Sequence, residues 1–345
     1  MNLPNPQPVL ELIEAFRRSK TMFAAVSMGV FDALHEAPAS AADLAVKFGA
    51  NADAMGRLLD GCTALGLLRK QAGAYHNDPV AETYLYSGSD HSLRGYVRYS
   101  DAGLYGMWGH LEDAVREGTH RWTQSFGLEG PIFSAFFRTD EAMRDFLMGM
   151  HGFGMLTSAK LVSAFDLSRF RRLVDLGGAT GHLAIAACER YVDLNAVVFD
   201  LPRATALALE QVAKSAAGER IEVVAGDFFE DELPAADLYY VGRILHDWAE
   251  DKIDRLLARI FERLPRGGAL LIGEKLLEED GVGPLDANMQ SLNMLIVTEG
   301  RERSLSEYAG LARRAGFDEV EGRRTGAALD AILAVKGRIA GGVAG

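Results

Sequence analysis

The sequence predicts an α/β fold, a doubly wound and mostly parallel sheet with an antiparallel end, preceded by a small helical domain. Three observations carry this. From Leu173 onward, short apolar runs alternate with helical stretches (Leu173–Leu176, Ala196–Phe199, Ile221–Val224, Leu238–Val241, Ala269–Ile272). Such runs are the mark of strands buried on both faces. Glu319–Arg323 and Ala331–Val335 then follow, joined through Thr325-Gly326 with no helix between, so the last strands pair antiparallel. The first hundred residues read helix, helix, helix and hairpin, a winged helix.

At the N-terminus, Leu12, Ile13, Phe16, Met22, Phe23, Ala25 and Val26 sit at helical spacing within residues 9–35. Ser40 and Asp43 form a capping-box pattern for a helix that stops near Gly49. Asn51 caps the next helix, and Gly66 ends it. Leu67–Lys70 and Ala74–His76 then turn back through Gly73. Between Asn51 and Leu65 the only basic residue is Arg57, facing Asp53 and Asp60. Phosphate contacts need Lys and Arg, so this domain is read as structural or dimerising. From Arg94 to Phe165 the chain is helical and rich in rings and Met. Glycines 149, 152 and 154 are costly there, and they call for close approach of a packed helix or a ligand. The expected boundaries are 1–105 for the winged helix, 106–168 for a helical linker, 169–338 for the sheet domain and 339–345 for a flexible tail.

Composition narrows the function. Among 345 residues, 36 Lys+Arg against 48 Asp+Glu leave a net charge of −12. So acidic a chain repels phosphate backbones, which argues against nucleic acid as a partner. Cys62 and Cys188 lie outside any CxxC spacing, excluding a disulfide framework and a cysteine zinc site, and they suit a cytoplasmic location. No signal-like start and no apolar run of about 18 residues is present, so no membrane partner is expected.

The chemistry begins at Asp175-Leu-Gly177-Gly178-Ala179-Thr-Gly181, a glycine turn between strand and helix, where ligands bind at the carboxyl edge of a sheet. A dinucleotide fingerprint starting at Gly177 would need glycine at 179 and 182, which are Ala179 and His182. Asp175 also sits badly beside a pyrophosphate and well beside an amine. S-adenosylmethionine has an amine, a ribose and an adenine, and no phosphate. Asp200 at the end of the second strand can take the ribose hydroxyls. Asp227 after the third can take the adenine amine, with Phe228 against the ring. The alternative is that Asp200 and Asp227 only cap helices, as strand-end acids often do.

After the fourth strand comes Arg243-Ile-Leu-His246-Asp247-Trp248, which sets a histidine at the same edge. Removing a hydroxyl proton suits imidazole, and Glu274 or Glu302 can fix its tautomer. The alternative is that Asp247 caps a helix with His246 packed beside it. His246, Asp247 and Glu250 are not spaced as metal ligands, so no metal is expected, and the G-x-S-x-G elbow of a serine hydrolase is lacking.

With these residues in place, the chain resembles the class I S-adenosylmethionine-dependent O-methyltransferases of the plant caffeic-acid and acetylserotonin type. The resemblance rests on Val174–Gly181, Phe199–Pro202, Gly226–Phe229, Arg243–Trp248, Arg301–Arg303 and Ala315–Phe317. It implies a Rossmann-like methyltransferase domain and an N-terminal α-helical winged-helix dimerisation domain, hence a homodimer. By position it implies His246 as general base held by Glu274 and Glu302. It places Asp247 and Asn293 beside a small, aromatic acceptor, in a pocket lined by the helix carrying Met148 and His151. Gly177, Asp200, Asp227, Phe228 and Arg243 would touch the cofactor. Ala179 stands where most members have glycine, which requires a negative φ there. Segment 148–154 lacks the tryptophan of the vertebrate acetylserotonin enzymes, which speaks against N-acetylserotonin as acceptor. Two readings stay open beside O-methylation: S-methylation of a small thioether or thiol, which needs no base, and a cofactor-binding winged-helix regulator.

Overall fold

The computed structural model describes residues 3–130 and 132–337; the expected tail 339–345 lies outside them. Its contacts define two compact units, residues 1–105 with Arg144–Gly152, and residues 106–143 with 153 onward. The expected linker 106–168 is thus divided between them.

In the first unit, helices Gln7–Met28, Val30–Glu36, Ala41–Phe48 and Ala52–Ala64 precede the hairpin of β1 (Leu68–Gln71) and β2 (Ala74–Asn77). The capping box forms as read: the Ser40 hydroxyl accepts from the Asp43 amide, and the Asp43 carboxylate accepts from the Ser40 amide. Asn51 caps the next helix by accepting from the Ala54 amide. Ala72 and Gly73 both take positive φ, which closes the hairpin as a two-residue turn. Val30, Phe31, Leu44, Met55, Leu59, Leu68 and Tyr75 form the core. Val9, Leu10, Leu12, Ile13 and Phe16 on the first helix stay exposed, an apolar face larger than a lone soluble helix usually leaves open.

Two of the three costly glycines are explained here. A Cβ on Gly149 would lie 3.0 Å from the Tyr96 Cα, and one on Gly152 would lie 2.7 Å from the Ser92 carbonyl oxygen. Close helix packing, not a ligand, requires them.

The second unit is the sheet. Its strands are β3 (Arg172–Leu176), β4 (Asn195–Asp200), β5 (Ile221–Ala225), β6 (Leu238–Gly242), β7 (Ala269–Glu274), β10 (Glu319–Arg323) and β11 (Asp330–Val335). Two short strands, β8 (Leu276–Leu277) and β9 (Arg303–Ser304), pair separately, in parallel. The main order is β10-β11-β7-β6-β3-β4-β5. β3 to β7 are parallel; β11 runs antiparallel to both β7 and β10, as the missing helix predicted. Helices cover both faces, giving two core layers, one around Val174, Tyr239 and Ile272, the other around Leu173, Tyr240 and Leu271. The helix after β4 runs from Pro202 to Val212. Pro202 suits the first helical turn, and i→i−3 bonds from Lys214 and Ser215 tighten the chain out of the helix.

The third glycine belongs to this unit. A Cβ on Gly154 would lie 2.4 Å from the His182 ring, whose Nδ1 is 2.8 Å from the Ser158 hydroxyl. The missing side chain lets the helix Asp140–Ala164 dock on the first residue of the helix after the glycine turn.

Candidate active site

Because β3 to β7 are parallel, their carboxyl ends share one edge, and that edge collects most of the singled-out residues. Asp175 lies in β3 and is buried. One of its oxygens, Oδ2, has no hydrogen-bond partner. Burial pushes its carboxyl up to about 7, against a backbone N–H from Ala184. Such an orphaned acid has an unmet need for a donor. The turn beside it admits no side chain. A Cβ on Gly178 would lie 2.8 Å from the Asp175 Cγ, and one on Gly177 would lie 2.6 Å from Ile244 Cδ1.

Ala179 departs from expectation: its φ is +50°, not negative. The left-handed conformation costs an L-residue about 1–2 kcal/mol. Here the Ala179 amide donates to Asp200 Oδ2 at 2.7 Å, which ties the turn to β4. The other oxygen, Oδ1, accepts from the Leu201 amide at 2.7 Å, and burial lifts the carboxyl to about 6. Asp227 accepts from the Phe229 amide at 2.8 Å. Both acids therefore bond backbone N–H groups, but neither caps a helix as the alternative reading had it: the helix from Pro202 carries no side-chain cap, and no helix follows Asp227. Each carboxylate oxygen retains a further lone pair for a ligand. Phe228 packs edge-on against Phe229 with centroids 4.8 Å apart, and a Cβ on Gly177 would meet its ring at 3.5 Å. The residues fit S-adenosylmethionine: an orphaned acid for the amine, a cradle a Cβ would fill, and acids in strand order.

Past β6 the backbone kinks at Arg243, φ +56°, which carries its guanidinium 4.6 Å above the Phe153 ring. A short 3-10 turn, Leu245–Asp247, then presents His246. Two partners come from distant segments. Glu302 Oε1 lies 2.6 Å from His246 Nδ1, a hydrogen bond. Glu274 Oε2 lies 3.4 Å from the same nitrogen, an ion-pair distance. The other Glu274 oxygen accepts from the amides of Ile244 and Leu245 at 3.0 and 2.9 Å, so this residue grips the turn more than the ring. Both glutamates are 0% exposed. Burial pushes Glu302 up to about 8, resisted first by Arg243, and Glu274 up to about 7, resisted first by His246. Asp247 Oδ1 is 3.6 Å from His246 Nε2, and burial lifts it to about 7.

His246, Glu274 and Glu302 also bring ligand-type atoms within 4.8 Å of one another, which sequence spacing could not reveal. Zinc ligands at about 2.0–2.2 Å would stand roughly 3.3 Å apart around a tetrahedral ion. The 2.6 Å contact is instead the length of a shared proton.

Asn293 accepts from the Trp108 indole at 3.0 Å. Met148 and His151 lie in Arg144–Gly152, which clusters with the first unit. Sequence reasoning missed Gly242 and Gly273, which face each other across β6 and β7. Their absent side chains make room for the buried Tyr240 hydroxyl, which a Cβ would meet at 1.8 and 2.6 Å. Glycine at two adjacent strand ends was the available signal.

Together, the acids in strand order and the glycine turn on a parallel sheet define an S-adenosylmethionine-dependent methyltransferase. The O-methyltransferase domain profile matches residues 108–318, and the O-methyltransferase dimerisation domain profile matches residues 10–87. The cattle acetylserotonin O-methyltransferase is 40% identical over 333 residues, covering 94% of this chain and 96% of that protein. A human protein named "Probable bifunctional dTTP/UTP pyrophosphatase/methyltransferase protein" is 43% identical over 336 residues; the chain spans about half of it, 54%. The crystal structure of human N-acetylserotonin methyltransferase in complex with S-adenosylmethionine matches with TM-score 0.92 and 37% identity, over 98% of this chain and 100% of that one. PigF with S-adenosylhomocysteine matches at TM-score 0.88 and 30% identity, over 96% and 100%. The chain belongs to the O-methyltransferase family and is an S-adenosylmethionine-dependent O-methyltransferase. Among the described residues, no helix is long and apolar enough to cross a membrane.

Proposed function

We propose that the protein methylates a hydroxyl of a small aromatic acceptor with His246 as general base, working as a homodimer in the cytoplasm. The observation that carries the base is the 2.6 Å bond from Glu302 to His246 Nδ1. With Glu302 ionised, Nδ1–H donates to it and Nε2 keeps a free lone pair, ready to take a proton; because burial lifts Glu302 to about 8, this form grows as pH rises toward that value. Nε2 takes the acceptor's hydroxyl proton as the oxygen forms its bond to the methyl carbon. Glu302 then offsets the charge of the imidazolium. S-adenosylmethionine, when bound, supplies the methyl from its sulfonium and is left as the neutral thioether. Asp175 is assigned to its amine, Asp200 to the ribose and Asp227 to the adenine, with Gly177, Phe228 and Arg243 beside it. Asp247 and Asn293 are assigned to the acceptor.

The exposed apolar face of the first helix, within the matched dimerisation domain, supports association of two copies. The acidic net charge supports a role apart from nucleic acid.

The test is His246→Ala, with labelled methyl donor and a panel of phenols, hydroxyindoles and thioethers. Loss of about 10²–10⁴ in turnover on a hydroxyl acceptor is the worth of a general base. Turnover close to the parent's would remove His246 from the chemistry and favour a thioether acceptor.

A further inference from the structure

We propose that Arg303 is a positioning residue for the proton transfer at His246, clamping the turn that carries the imidazole, its buried guanidinium borne by the residue next to Glu302. This rests on the reading of His246 as the base.

Arg303 opens β9, paired in register with Leu276 just beyond the Glu274 strand end. A guanidinium is rarely buried unless paired, yet this side chain is only 2% exposed. Its Nη1 donates to the Leu245 carbonyl at 3.3 Å and to the Arg301 carbonyl at 3.0 Å, and its Nε has no hydrogen-bond partner. Leu245 immediately precedes His246. Both backbone groups of Leu245 are thus held, the N–H by Glu274 and the carbonyl by Arg303. Gly300 closes a third side: a Cβ there would lie 2.1 Å from the His246 carbonyl oxygen. The turn has no room to tilt while these contacts hold.

Charge accounting points the same way. Glu302 faces His246, Glu274, Arg243, Lys275, Asp286 and Arg303, with the buried Tyr308 phenol beside both glutamates and Arg303. Around the imidazole, the acids Glu274, Glu302 and Asp247 oppose Arg243 and Arg303. With all three acids ionised, neutral His246 leaves one excess negative charge, and a single proton, on His246 or on one of these raised carboxyls, balances the cluster. Buried charge is costly when unpaired, so Arg303 favours the proton-loaded state only together with an ionised Glu302. Arg303 also works against burial at Glu302, though Arg243 and Lys275 do so more strongly.

The experiment compares Arg303→Gln and Arg303→Lys. Glu302 is followed by carboxyl carbon NMR against pH, its resonance assigned with Glu302→Gln, so no acceptor is needed. S-adenosylhomocysteine binding by calorimetry reports folding of the cofactor edge. In the Gln variant, binding should stay within about threefold and the Glu302 midpoint should rise by about one pH unit. Turnover on the acceptor identified in the panel should fall about 10-fold or more, its acid limb moving to higher pH with Glu302. The Lys variant keeps the charge and loses the fork, so its midpoint should hold within about half a unit while turnover still falls. An unmoved midpoint in a Gln variant that binds the thioether normally overturns the charge role. If the Gln variant does not fold, the Lys variant decides: turnover equal to the parent's overturns the clamp. His246→Ala with retained turnover sinks the base and leaves the midpoint result readable by itself.

Discussion

The two halves of the sheet edge solve different problems with the same residue type. Along β3, β4 and β5, acids at successive strand ends are held by backbone N–H groups, those of Leu201 and Phe229 close by and that of Ala179 from the neighbouring turn, and one oxygen of Asp175 is left without a donor. Past β6 and β7, the acids turn toward a side chain: Glu302 bonds His246 from 56 residues away, and Glu274 divides itself between the ring and the turn beneath it. The first half presents acceptors and waits for a cation. The second has one donor in the His246 ring, while Glu274 Oε2 and Glu302 Oε2 have no hydrogen-bond partner. An acid row built on backbone bonds suits binding, whereas a ring held by side-chain carboxylates suits moving a proton.

The comparison is broken most severely by uncoupling the second half alone. Glu302→Gln is expected to lower turnover about 10²-fold, within the range a general base contributes. Calorimetric affinity for S-adenosylhomocysteine should stay unchanged. A parallel loss of that affinity would mean the two halves are one unit.

The reverse substitution, Asp175→Asn, should weaken cofactor binding about 10–100-fold, the worth of a charge-assisted hydrogen bond. Turnover at saturating cofactor should change far less. A direct corollary concerns protons. Asp175 titrates at about 7 when empty, and an ammonium partner lowers a carboxyl's pKa. Cofactor binding near pH 6.5 should therefore release a proton, read from calorimetry in buffers of different ionisation enthalpy, and Asp175→Asn should abolish the release.

Stability against pH sharpens the contrast further. Asp175, Asp200, Asp247, Glu274 and Glu302 all have folded pKa values raised above their ordinary ones. The folded state therefore binds more protons than the unfolded chain between about pH 4 and 8, and stability falls as pH rises through that window. The cofactor-free protein should melt lower at pH 8.5 than at 5.5, and saturating cofactor should narrow the gap. A melting temperature that climbs over this range would contradict the burial of these acids.

The smallest effect is local. Ala179→Gly relieves a left-handed alanine and should raise stability by about 1 kcal/mol, less the entropy glycine gains in the unfolded chain. Chemical denaturation measures it, and a clear loss of stability would mean the alanine methyl contributes packing that outweighs the strain.

Much of the fold was legible because its signals are local. Capping at Ser40 and Asn51, the buried runs of β3 to β7 and the helix-free link between β10 and β11 each follow from a few adjacent residues. The glycine turn and its acids were legible for the same reason, since strand ends order them along the chain. The strain at Ala179 and Arg243 was not, because φ at a non-glycine residue depends on what the neighbouring strands hold in place. The division of labour between the glutamates was hidden too: which carboxylate reaches Nδ1 depends on where β7 ends and β9 begins. Glycines 149, 152 and 154 announced close approach, but only packing showed that a helix backbone and the His182 ring were what approached.

By itself, then, the order of residues determined the strand succession, the reversal at the end and the chemistry at each strand terminus, because hydrogen-bonding periodicity and capping act over a few residues. Tertiary structure alone decided which acid pairs with the imidazole, which stays open for a cation and which arginine lies beneath them. Electrostatics among buried groups depends on distances between segments far apart in the chain, and folding sets those distances.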